Sequence, residues 1–244
     1  MNESKISICI PTYERTDMVI RAIEQVIGDK RTNDIVVVDD ASNINTYYML
    51  ELKLKELEEK SKVKKIRLER NTVNFDCYKN KSKAISLAKN EYAILFDSDN
   101  VLTKDYIDVL YHVQFYQGWD KTTIYTPEFA RPAFDFRWLS GTLLDKSNIA
   151  RYIDQSNCET MLNAANYFVN RDEYLKAFDG TVDPVTSDSI YLASRWLERE
   201  NTIYVTPKLQ YDHTLHDGSH YRQNNKRTPQ GFHEEVKKKL REMI

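Results

Sequence analysis

The sequence predicts an α/β protein with a doubly wound, mostly parallel sheet. Three apolar runs of strand length support this prediction: ISICI at residues 6–10, IVVV at residues 35–38 and YAILF at residues 92–96. Segments whose apolar residues recur at helical spacing separate the runs, and this β-α-β alternation is typical of parallel sheets covered by helices. Polar or charged residues follow each run closely. Because ligands bind beyond the carboxyl ends of the strands in such sheets, we expect the functional site there.

The elements can be justified in order along the chain. The first strand is predicted to stop at Pro11, which has no backbone N–H to donate. Thr16 can cap the helix that follows, and Gly28 is placed to end it. The second strand, residues 35–38, is apolar on both faces, which indicates a central position in the sheet. The other predicted elements are a polar helix over residues 45–60, a weaker strand over 63–68, a helix over 79–89, the strand over 92–96, a helix over 103–116 before Gly118, a strand over 123–126 and a helix that Ser187 opens.

The composition indicates a soluble protein and excludes several functional classes. With 244 residues, the chain is long enough for one large α/β domain. A net charge of −2 argues against a general nucleic-acid binder, which would carry a basic excess. Three cysteines without a pattern indicate neither a disulfide framework nor a zinc site, and they fit a reducing cytoplasm. The sequence shows no signal peptide, and no apolar run approaches the roughly 20 residues of a membrane helix.

Glycine-rich phosphate-binding loops are missing from the sequence. The chain has six glycines, and none stands in a GxGxxG or GxxxxGK arrangement. A dehydrogenase or a P-loop ATPase would place such a loop after the first strand. This chain instead has Pro11 and Tyr13 there, residues that suit packing against a base or a ribose. The phosphates of a nucleotide would therefore need a different kind of site.

Two carboxylates stand close together after the fourth strand. Asp97 and Asp99 follow the run YAILF, and two such charges repel each other by about 4 kcal/mol at ~4 Å and an effective dielectric constant of about 20. A divalent cation reverses the sign, since Mg²⁺ and Mn²⁺ take one or two carboxylates and fill their remaining positions from substrate phosphates and water. Two alternatives need no metal: Asp97 caps the helix that starts near Thr103, or both carboxylates are turn residues.

Four segments, taken together in their order and spacing, resemble a known family. They are ICIPTYER at residues 8–15, IVVVDDAS at residues 35–42, NKSKAISLAKNEYAILFDSDN at residues 80–100, and Ser187-Asp188 with Leu192 and Arg195. The resemblance is to the family 2 glycosyltransferases, inverting enzymes of the GT-A fold that transfer a sugar from a nucleotide diphosphate donor. Each segment alone is a weak signal, but the combination is specific.

This resemblance implies where a donor and a metal bind. Asp99 would ligate Mn²⁺ or Mg²⁺, and Asp97 would hold the ribose or a water ligand of that metal. Lys79 stands where many members have an arginine, which implies a contact with the phosphate or base of the donor. The sequence departs from the family pattern by lacking a glycine in the turn at residues 71–74 and by having Asn100 where an acidic residue often follows. The implied nucleotide-binding residues are Pro11, Thr12, Tyr13, Glu14, Asp40, Lys79, Asp97 and Ser98.

Asp188 is the candidate catalytic base. The resemblance places it at the position of the base in this family, and inversion needs a carboxylate that takes the proton of the acceptor hydroxyl as that hydroxyl attacks. A structural alternative is open, because a negative charge in the first turn of a helix gains about 0.3–1 kcal/mol from the helix dipole. Ser187 is predicted to be the N-cap of the same helix.

Three of the five histidines lie within residues 211–220. Many GT-A enzymes bring a C-terminal histidine to the metal, and this resemblance makes His216 the candidate ligand, with His213 as the alternative. The spacing of these histidines does not indicate a separate zinc site for hydrolysis, which would need more ligands.

Two later segments each allow two interpretations. Residues 129–138 interleave aromatic residues with arginines, which would suit an acceptor platform that stacks on sugar faces, or else a half-buried strand with alternating faces. Residues 230–244 form an amphipathic basic helix that either packs on its own domain or touches anionic lipids. In the second case the cytoplasmic protein would lie at the inner face of the membrane.

These observations predict a metal-dependent, inverting GT-A glycosyltransferase with a nucleotide-sugar donor, UDP-linked by preference. The acceptor would be a glycan, a glycolipid or another glycoconjugate, and no nucleic acid would be bound. We assign donor binding to residues 1–100, acceptor binding and catalysis to residues 101–225, and the amphipathic helix to residues 226–244. The alternatives are a nucleotidyltransferase, which usually has a glycine-rich basic loop after its first strand, and a catalytically silent nucleotide-sugar or glycan-binding module.

Overall fold

The computed structural model describes residues 4–164, 166–214, 216, 217, 219, 222 and 224–243. In this part of the chain, ten strands form a single sheet. They are β1 (Ile6–Thr12), β2 (Thr32–Asp39), β3 (Ile66–Arg70), β4 (Tyr92–Leu95), β5 (Val101–Leu102), β6 (Thr123–Arg131), β7 (Phe134–Asp135), β8 (Leu143–Leu144), β9 (Phe168–Asn170) and β10 (Thr202–Asp212). The α-helices are α1 (Thr16–Glu24), α2 (Ile44–Ser61), α3 (Asp76–Ser86), α4 (Tyr106–Gln117), α5 (Cys158–Leu162), α6 (Arg171–Ala177), α7 (Asp188–Glu198) and α8 (Phe232–Arg241). Short 3₁₀ helices cover Arg137–Leu139, Ile149–Arg151, Val185–Ser187 and Asn225–Arg227.

The strand order confirms the predicted fold class. The sheet runs β3-β2-β1-β4-β9-β6-β10-β5, with β7 beside β6 and β8 beside β10. The long strands pair in parallel: β1 with β2 and β4, β2 with β3, and β6 with β10. Strand β9 runs antiparallel between β4 and β6. The result is an α/β protein with a doubly wound, mostly parallel sheet.

Several element boundaries differ from the sequence predictions. Strand β1 does not stop at Pro11 but continues to Thr12. It can do so because β4 pairs with β1 only as far as Cys9, so no strand there needs the N–H that Pro11 lacks. Strand β10 was not predicted, since its pairing with β6 is interrupted between Thr206 and Gln210 by a bulge that breaks the apolar alternation.

The topology brings three chain segments to one edge of the sheet. Strands β1, β2 and β4 are parallel, so the residues that follow them meet at their carboxyl ends. Hydrogen bonds link these ends directly: Asp40 N donates to Thr12 O at 2.8 Å, and Phe96 N donates to Cys9 O at 2.9 Å. The polar residues after the three strands are therefore neighbours, as the sequence predicts.

The C-terminal helix α8 packs on its own protein. Val236 and Leu240 are 3% and 0% exposed, and the helix lies against α7 and the 3₁₀ turn Ile149–Arg151. Basic side chains of the other face pair with acids of the same chain: Lys237 with Glu159 at 2.6 Å and Arg241 with Asp154 at 2.7 Å. The apolar face that a lipid surface would have to receive is thus buried inside the protein. Among the described residues, no helix is both long and apolar enough to span a bilayer.

We expect Leu240→Ala to lower the free energy of unfolding by about 2–5 kcal/mol, because it leaves a cavity under α8. Lys238→Ala on the exposed face of the same helix is the matched control and should change stability by no more than about 0.5 kcal/mol. Urea unfolding followed by circular dichroism measures both. Equal stability of the Leu240→Ala and wild-type proteins would contradict this packing.

Candidate active site

Three carboxylates and one lysine form the centre of the candidate site. Asp97 and Asp99 follow β4, Asp188 is the first residue of α7, and Lys81 reaches towards them from α3. Lys81 Nζ lies 2.8 Å from Asp188 Oδ2 and 3.5 Å from Asp97 Oδ1. The side chains of Lys81 and Asp188 are only 7% and 8% exposed, so water screens their attraction weakly. The structure therefore joins the predicted base to the predicted donor site.

Lys81 balances the negative charge of this cluster. Burial alone would lower the pKa of Lys81, but the carboxylates of Asp188 and Asp97 outweigh burial and raise that pKa above its ordinary value. Burial also raises the pKa of Asp97; Asp99 and Asp188 add to the rise, and Lys81 opposes it. The lysine is consequently charged at neutral pH and faces carboxylates from two separate parts of the chain.

Sequence reasoning missed Lys81; on the same helix it selected Lys79, for a contact with the phosphate or base of the donor. Lys79 lies on the exposed side of α3, whereas Lys81 lies on the buried side with Tyr78, Ala84 and Ile85. These apolar residues precede Lys81 by three positions or follow it by three and four, which is the spacing of one helix face. The sequence pattern that could have identified Lys81 is a lysine on an apolar helix face. A buried lysine needs a partner of opposite charge.

A cysteine makes a further contact with the candidate base. Cys77 Sγ lies 3.4 Å from Asp188 Oδ2, the same oxygen that Lys81 contacts. Burial raises the pKa of the Cys77 thiol, and the neighbouring Asp188 charge raises it further. The thiol therefore stays protonated and acts as a weak donor to the carboxylate.

Asp99 and His216, the two proposed metal ligands, lie in contact. His216 Nε2 is 3.0 Å from Asp99 Oδ2, and Arg15 Nη1 is 2.8 Å from the same oxygen. His213 is placed differently: its ring packs against Phe134 with centroids 5.2 Å apart, and burial lowers its pKa. Of the two candidate histidines, His216 is the one that the structure brings to Asp99.

Asn100, a departure from the family pattern, has a structural role here. Its Oδ1 accepts a hydrogen bond from Thr214 N at 3.1 Å. Arg21 Nη2 donates to Asp99 O at 2.9 Å and lies 3.4 Å from Thr214 Oγ1. These bonds tie the segment before His216 to the turn that carries Asp99. An amide serves this purpose, since it adds no charge to an already acidic turn.

The residues after β1 occupy the same edge of the sheet. Thr12 and Ser98 are 4% and 1% exposed, and neither hydroxyl oxygen has a hydrogen-bond partner within the described part of the chain. Tyr13 is 48% exposed and can receive a flat ligand. Glu14 instead binds the start of α2, where it accepts hydrogen bonds from Asn43 N and from Thr46 Oγ1. Pro11 lies within β1.

Asp40 organises the turn before α3. Its Oδ1 accepts hydrogen bonds from Asn71 Nδ2 at 2.7 Å and from Phe75 N at 2.8 Å. Burial raises the pKa of Asp40, and these two hydrogen bonds oppose the rise. The turn at residues 71–74 that lacks a glycine is therefore held by a buried carboxylate. Asp40 and Glu14 both have structural partners, which the sequence analysis did not anticipate.

Comparison with known proteins decides the family. The family described as "Glycosyl transferase family 2" matches residues 7–175. The chain belongs to glycosyl transferase family 2. A curated relative, the abequosyltransferase RfbV of Salmonella typhimurium, is 30% identical over 108 residues. That match covers 43% of this chain and 31% of the relative, so the chain spans about a third of the length of this relative.

Solved structures confirm the GT-A fold of this family 2 member. TarS 1–349 of S. aureus in complex with UDP-GlcNAc gives a TM-score of 0.63 at 16% identity, covering 88% of this chain and 60% of the other. The mannosyltransferase PcManGT from Pyrobaculum calidifontis, in complex with GDP-Man and Mn²⁺, gives a TM-score of 0.61 at 12% identity, covering 93% of this chain and 61% of the other. At these identities the likeness concerns the fold alone.

The donor set at Asp99 fits a divalent cation of the kind that family 2 enzymes commonly use. Among the described residues, no three His, Cys, Asp or Glu side chains converge to hold a metal ion by themselves. Asp99 and His216 offer one oxygen and one nitrogen donor, and Mg²⁺ and Mn²⁺ need few protein ligands when substrate phosphates supply the others. The Arg15 guanidinium at 2.8 Å from Asp99 Oδ2 shows that this carboxylate already accepts a cationic neighbour.

Proposed function

We propose that this family 2 member transfers a sugar from a nucleotide-diphosphate donor to an acceptor hydroxyl, with inversion and with a divalent metal. The observation that carries the proposal is that Lys81 contacts both Asp97 and Asp188, while Asp99 follows Asp97 in the same turn, at the carboxyl ends of the parallel strands. Solved proteins of the same fold with bound UDP, UDP-GlcNAc or GDP-Man support a nucleotide-sugar donor.

On the donor side, the residues after β1 and β4 would bind the nucleotide. Tyr13 would pack on the base, and the unpartnered hydroxyls of Thr12 and Ser98 would bond polar groups of the nucleotide. Asp97 would bind the ribose, while Asp99 and His216 would hold Mn²⁺ or Mg²⁺. When bound, that cation offsets the negative charge that develops on the departing diphosphate.

On the acceptor side, Asp188 would act as the base. Lys81 and Cys77 both contact its Oδ2, which fixes the carboxylate in one orientation. Asp188 would take the acceptor proton while the acceptor oxygen bonds to the anomeric carbon and the bond to the diphosphate breaks on the opposite face. This displacement inverts the configuration and needs no covalent sugar intermediate.

Residues 101–225 would bind the acceptor, including part of the segment that alternates aromatics and arginines. Here Phe136 is buried and Trp138 is 42% exposed at the edge of the protein. The arginines already have partners: Arg131 contacts Asp212 at 2.7 Å and Arg137 contacts Asp135 at 2.5 Å. The acceptor surface would therefore rely on the exposed ring for stacking, and the arginines would keep their internal partners.

The proposal is tested by thermal unfolding with UDP-, GDP-, CDP- and dTDP-sugars, each with and without Mn²⁺. A donor at about 100 times its Kd stabilises the native state by about 2.7 kcal/mol, which raises Tm by roughly 5–10 °C for a chain of this size. We expect Asp99→Ala to abolish the Mn²⁺-dependent part of this rise. Asp105→Ala is the control, because it removes an exposed carboxylate near Asp99 in the sequence. This variant should keep the Mn²⁺-dependent rise in Tm.

An equal Mn²⁺-dependent rise in the Asp99→Ala protein would remove Asp99 from the metal site. Donor binding without any turnover in the wild-type protein would overturn the transferase proposal and indicate a catalytically silent binding module. Release of pyrophosphate from a nucleoside triphosphate would indicate a nucleotidyltransferase.

A further inference from the structure

The segment that carries Asp188 has an unfavourable backbone conformation and no side-chain cap at the start of its helix. Val185, three residues before Asp188, has a φ of 50°, in the left-handed region that a β-branched residue rarely adopts. Ser187 stands at the N-cap position of α7, but its side chain makes no cap hydrogen bond. The expected capping role of the Ser187 hydroxyl is therefore wrong, and other groups must hold residues 186–190, which we call the base segment.

The C-terminal part of the chain supplies two of these groups. Thr228 Oγ1 lies 2.6 Å from Thr186 Oγ1 and accepts a hydrogen bond from Thr186 N at 3.3 Å. His233 Nδ1, in the first turn of α8, lies 2.9 Å from Ser187 Oγ. Both contacts fall on the two residues directly before Asp188. They explain why the Ser187 hydroxyl is turned away from its own helix.

A third support comes from Asn163, the residue directly after α5. Asn163 Nδ2 donates to Thr186 O at 3.0 Å, and Asn163 Oδ1 accepts from Ile190 N at 3.2 Å. Asn163 thus satisfies the helix N–H that the Ser187 side chain leaves uncapped. Asn163 therefore holds both ends of the base segment, at Thr186 and Ile190. Thr228 and His233 hold Thr186 and Ser187.

The ionised Glu159 carboxylate sets the direction of the hydrogen bond that it makes with His233. Burial alone would raise the pKa of Glu159, but hydrogen bonds from Lys237 and His233 outweigh burial and keep that pKa below its ordinary value. The ionised Glu159 Oε1 accepts from His233 Nε2 at 2.5 Å, so Nε2 carries a proton. Nδ1 is then the ring nitrogen that hydrogen-bonds with the Ser187 hydroxyl. Ser187 is 2% exposed, so this Ser-His-Glu arrangement is closed to substrate and is not a nucleophile.

We propose that Thr228 and His233 form a clasp that positions the catalytic base. The clasp fixes Ser187, and through it the adjacent Asp188, so that the Asp188 carboxylate stays at 2.8 Å from Lys81 Nζ. His233, Thr228 and Ser187 are positioning residues, since none of them touches the reacting atoms. The inference rests on the proposed function, because it assigns the clasp to the base of that reaction. Helix α8 thereby gains a role in the reaction in addition to its packing.

Three substitutions at one position test the clasp. His233→Ala removes both ring hydrogen bonds, His233→Asn places an amide near the Nδ1 position, and His233→Gln places one near the Nε2 position. A displacement of about 1 Å at a reacting group costs about 100-fold in rate. We expect kcat for nucleoside diphosphate release to fall by about 10- to 100-fold in the Ala and Gln proteins and to recover in the Asn protein. The donor KM should stay unchanged in all three, and Lys238→Ala is the control on the same helix.

A second measurement needs no substrate. Hydrogen exchange of the amides of residues 186–190 should quicken in the Ala and Gln proteins and remain slow in the Asn protein. Slow exchange and full turnover in His233→Ala would overturn the clasp, and so would rescue by Gln in place of Asn. If the wild-type protein turned over no sugar nucleotide, the proposed function would fail, while the exchange data would still decide whether His233 holds the base segment.

Discussion

Asp188→Asn should leave nucleotide-sugar binding intact and lower the rate of sugar transfer by about 10²–10⁴-fold, the usual contribution of a general base. The amide keeps the size of the carboxylate, and its oxygen can still accept a hydrogen bond from Lys81. It cannot take a proton from the acceptor. Binding should survive because Asp97, Asp99 and His216, which we propose to bind the donor and its metal, are unaltered. The measurements are calorimetric titration with the donor and Mn²⁺, and steady-state release of the nucleoside diphosphate.

Asp172→Asn is the matched control for this variant. Asp172 also lies in the first turn of a helix, α6, but it is 61% exposed and stands outside the site. Both substitutions remove a negative charge from a helix N-terminus, which by itself costs only about 0.3–1 kcal/mol. A similar small loss of stability and near-normal turnover in both proteins would assign Asp188 to the helix dipole and leave the base role to another residue.

Lys81→Met should damage both stability and turnover. Its loss leaves Asp188 buried and Asp97 partly buried without the ammonium that balances them, and breaking a buried ion pair costs about 3–5 kcal/mol. The unpaired Asp188 would also be protonated more easily, which removes the base. We expect turnover to fall at least as far as in Asp188→Asn. Lys79→Met, on the exposed side of the same helix, should change the free energy of unfolding by no more than about 0.5 kcal/mol.

The double variant Lys81→Met/Asp188→Asn separates the two effects. Removing both charges relieves the unpaired carboxylate, so the double variant should be more stable than Lys81→Met alone. Its turnover should resemble that of the slower single variant, because residues that act as a unit do not contribute additively. Additive losses in both stability and turnover would mean that Lys81 and Asp188 are not coupled. Urea unfolding measures the stability of each variant, and single-turnover kinetics measures its rate of sugar transfer.

The sequence was most informative where local pattern and global fold agree. The apolar runs that became β1, β2 and β4 are buried on both faces, and an all-apolar strand followed by polar residues has few other interpretations. The same pattern predicted that Asp97, Asp99 and Asp40 lie at one edge of the sheet. The resemblance to the family added Asp188 and His216, which are distant in sequence from Asp97 and Asp99 and which no local pattern could have assigned to the same site.

The sequence was least informative about partners fixed by tertiary structure. Lys81 and Lys79 are chemically identical, and only the rotation of α3 decides which one is buried. Serine is a residue type that commonly caps helices, yet the Ser187 hydroxyl hydrogen-bonds with His233, 46 residues later in the chain. Glu14 belongs to the family motif, but here it binds the start of α2. Each of these outcomes depends on a contact between distant segments, which propensity and spacing do not report.

Strand β9 has a mechanical consequence for how substrates enter. It pairs with β4 through three residue pairs and with β6 at Tyr125–Phe168, so one continuous sheet joins the strands of the first hundred residues to those of the later part. A hinge motion between the two halves would break this pairing, unlike in proteins whose lobes close around a ligand. We therefore expect crystals grown with and without donor to superpose on the sheet and to differ in the connections at the strand ends.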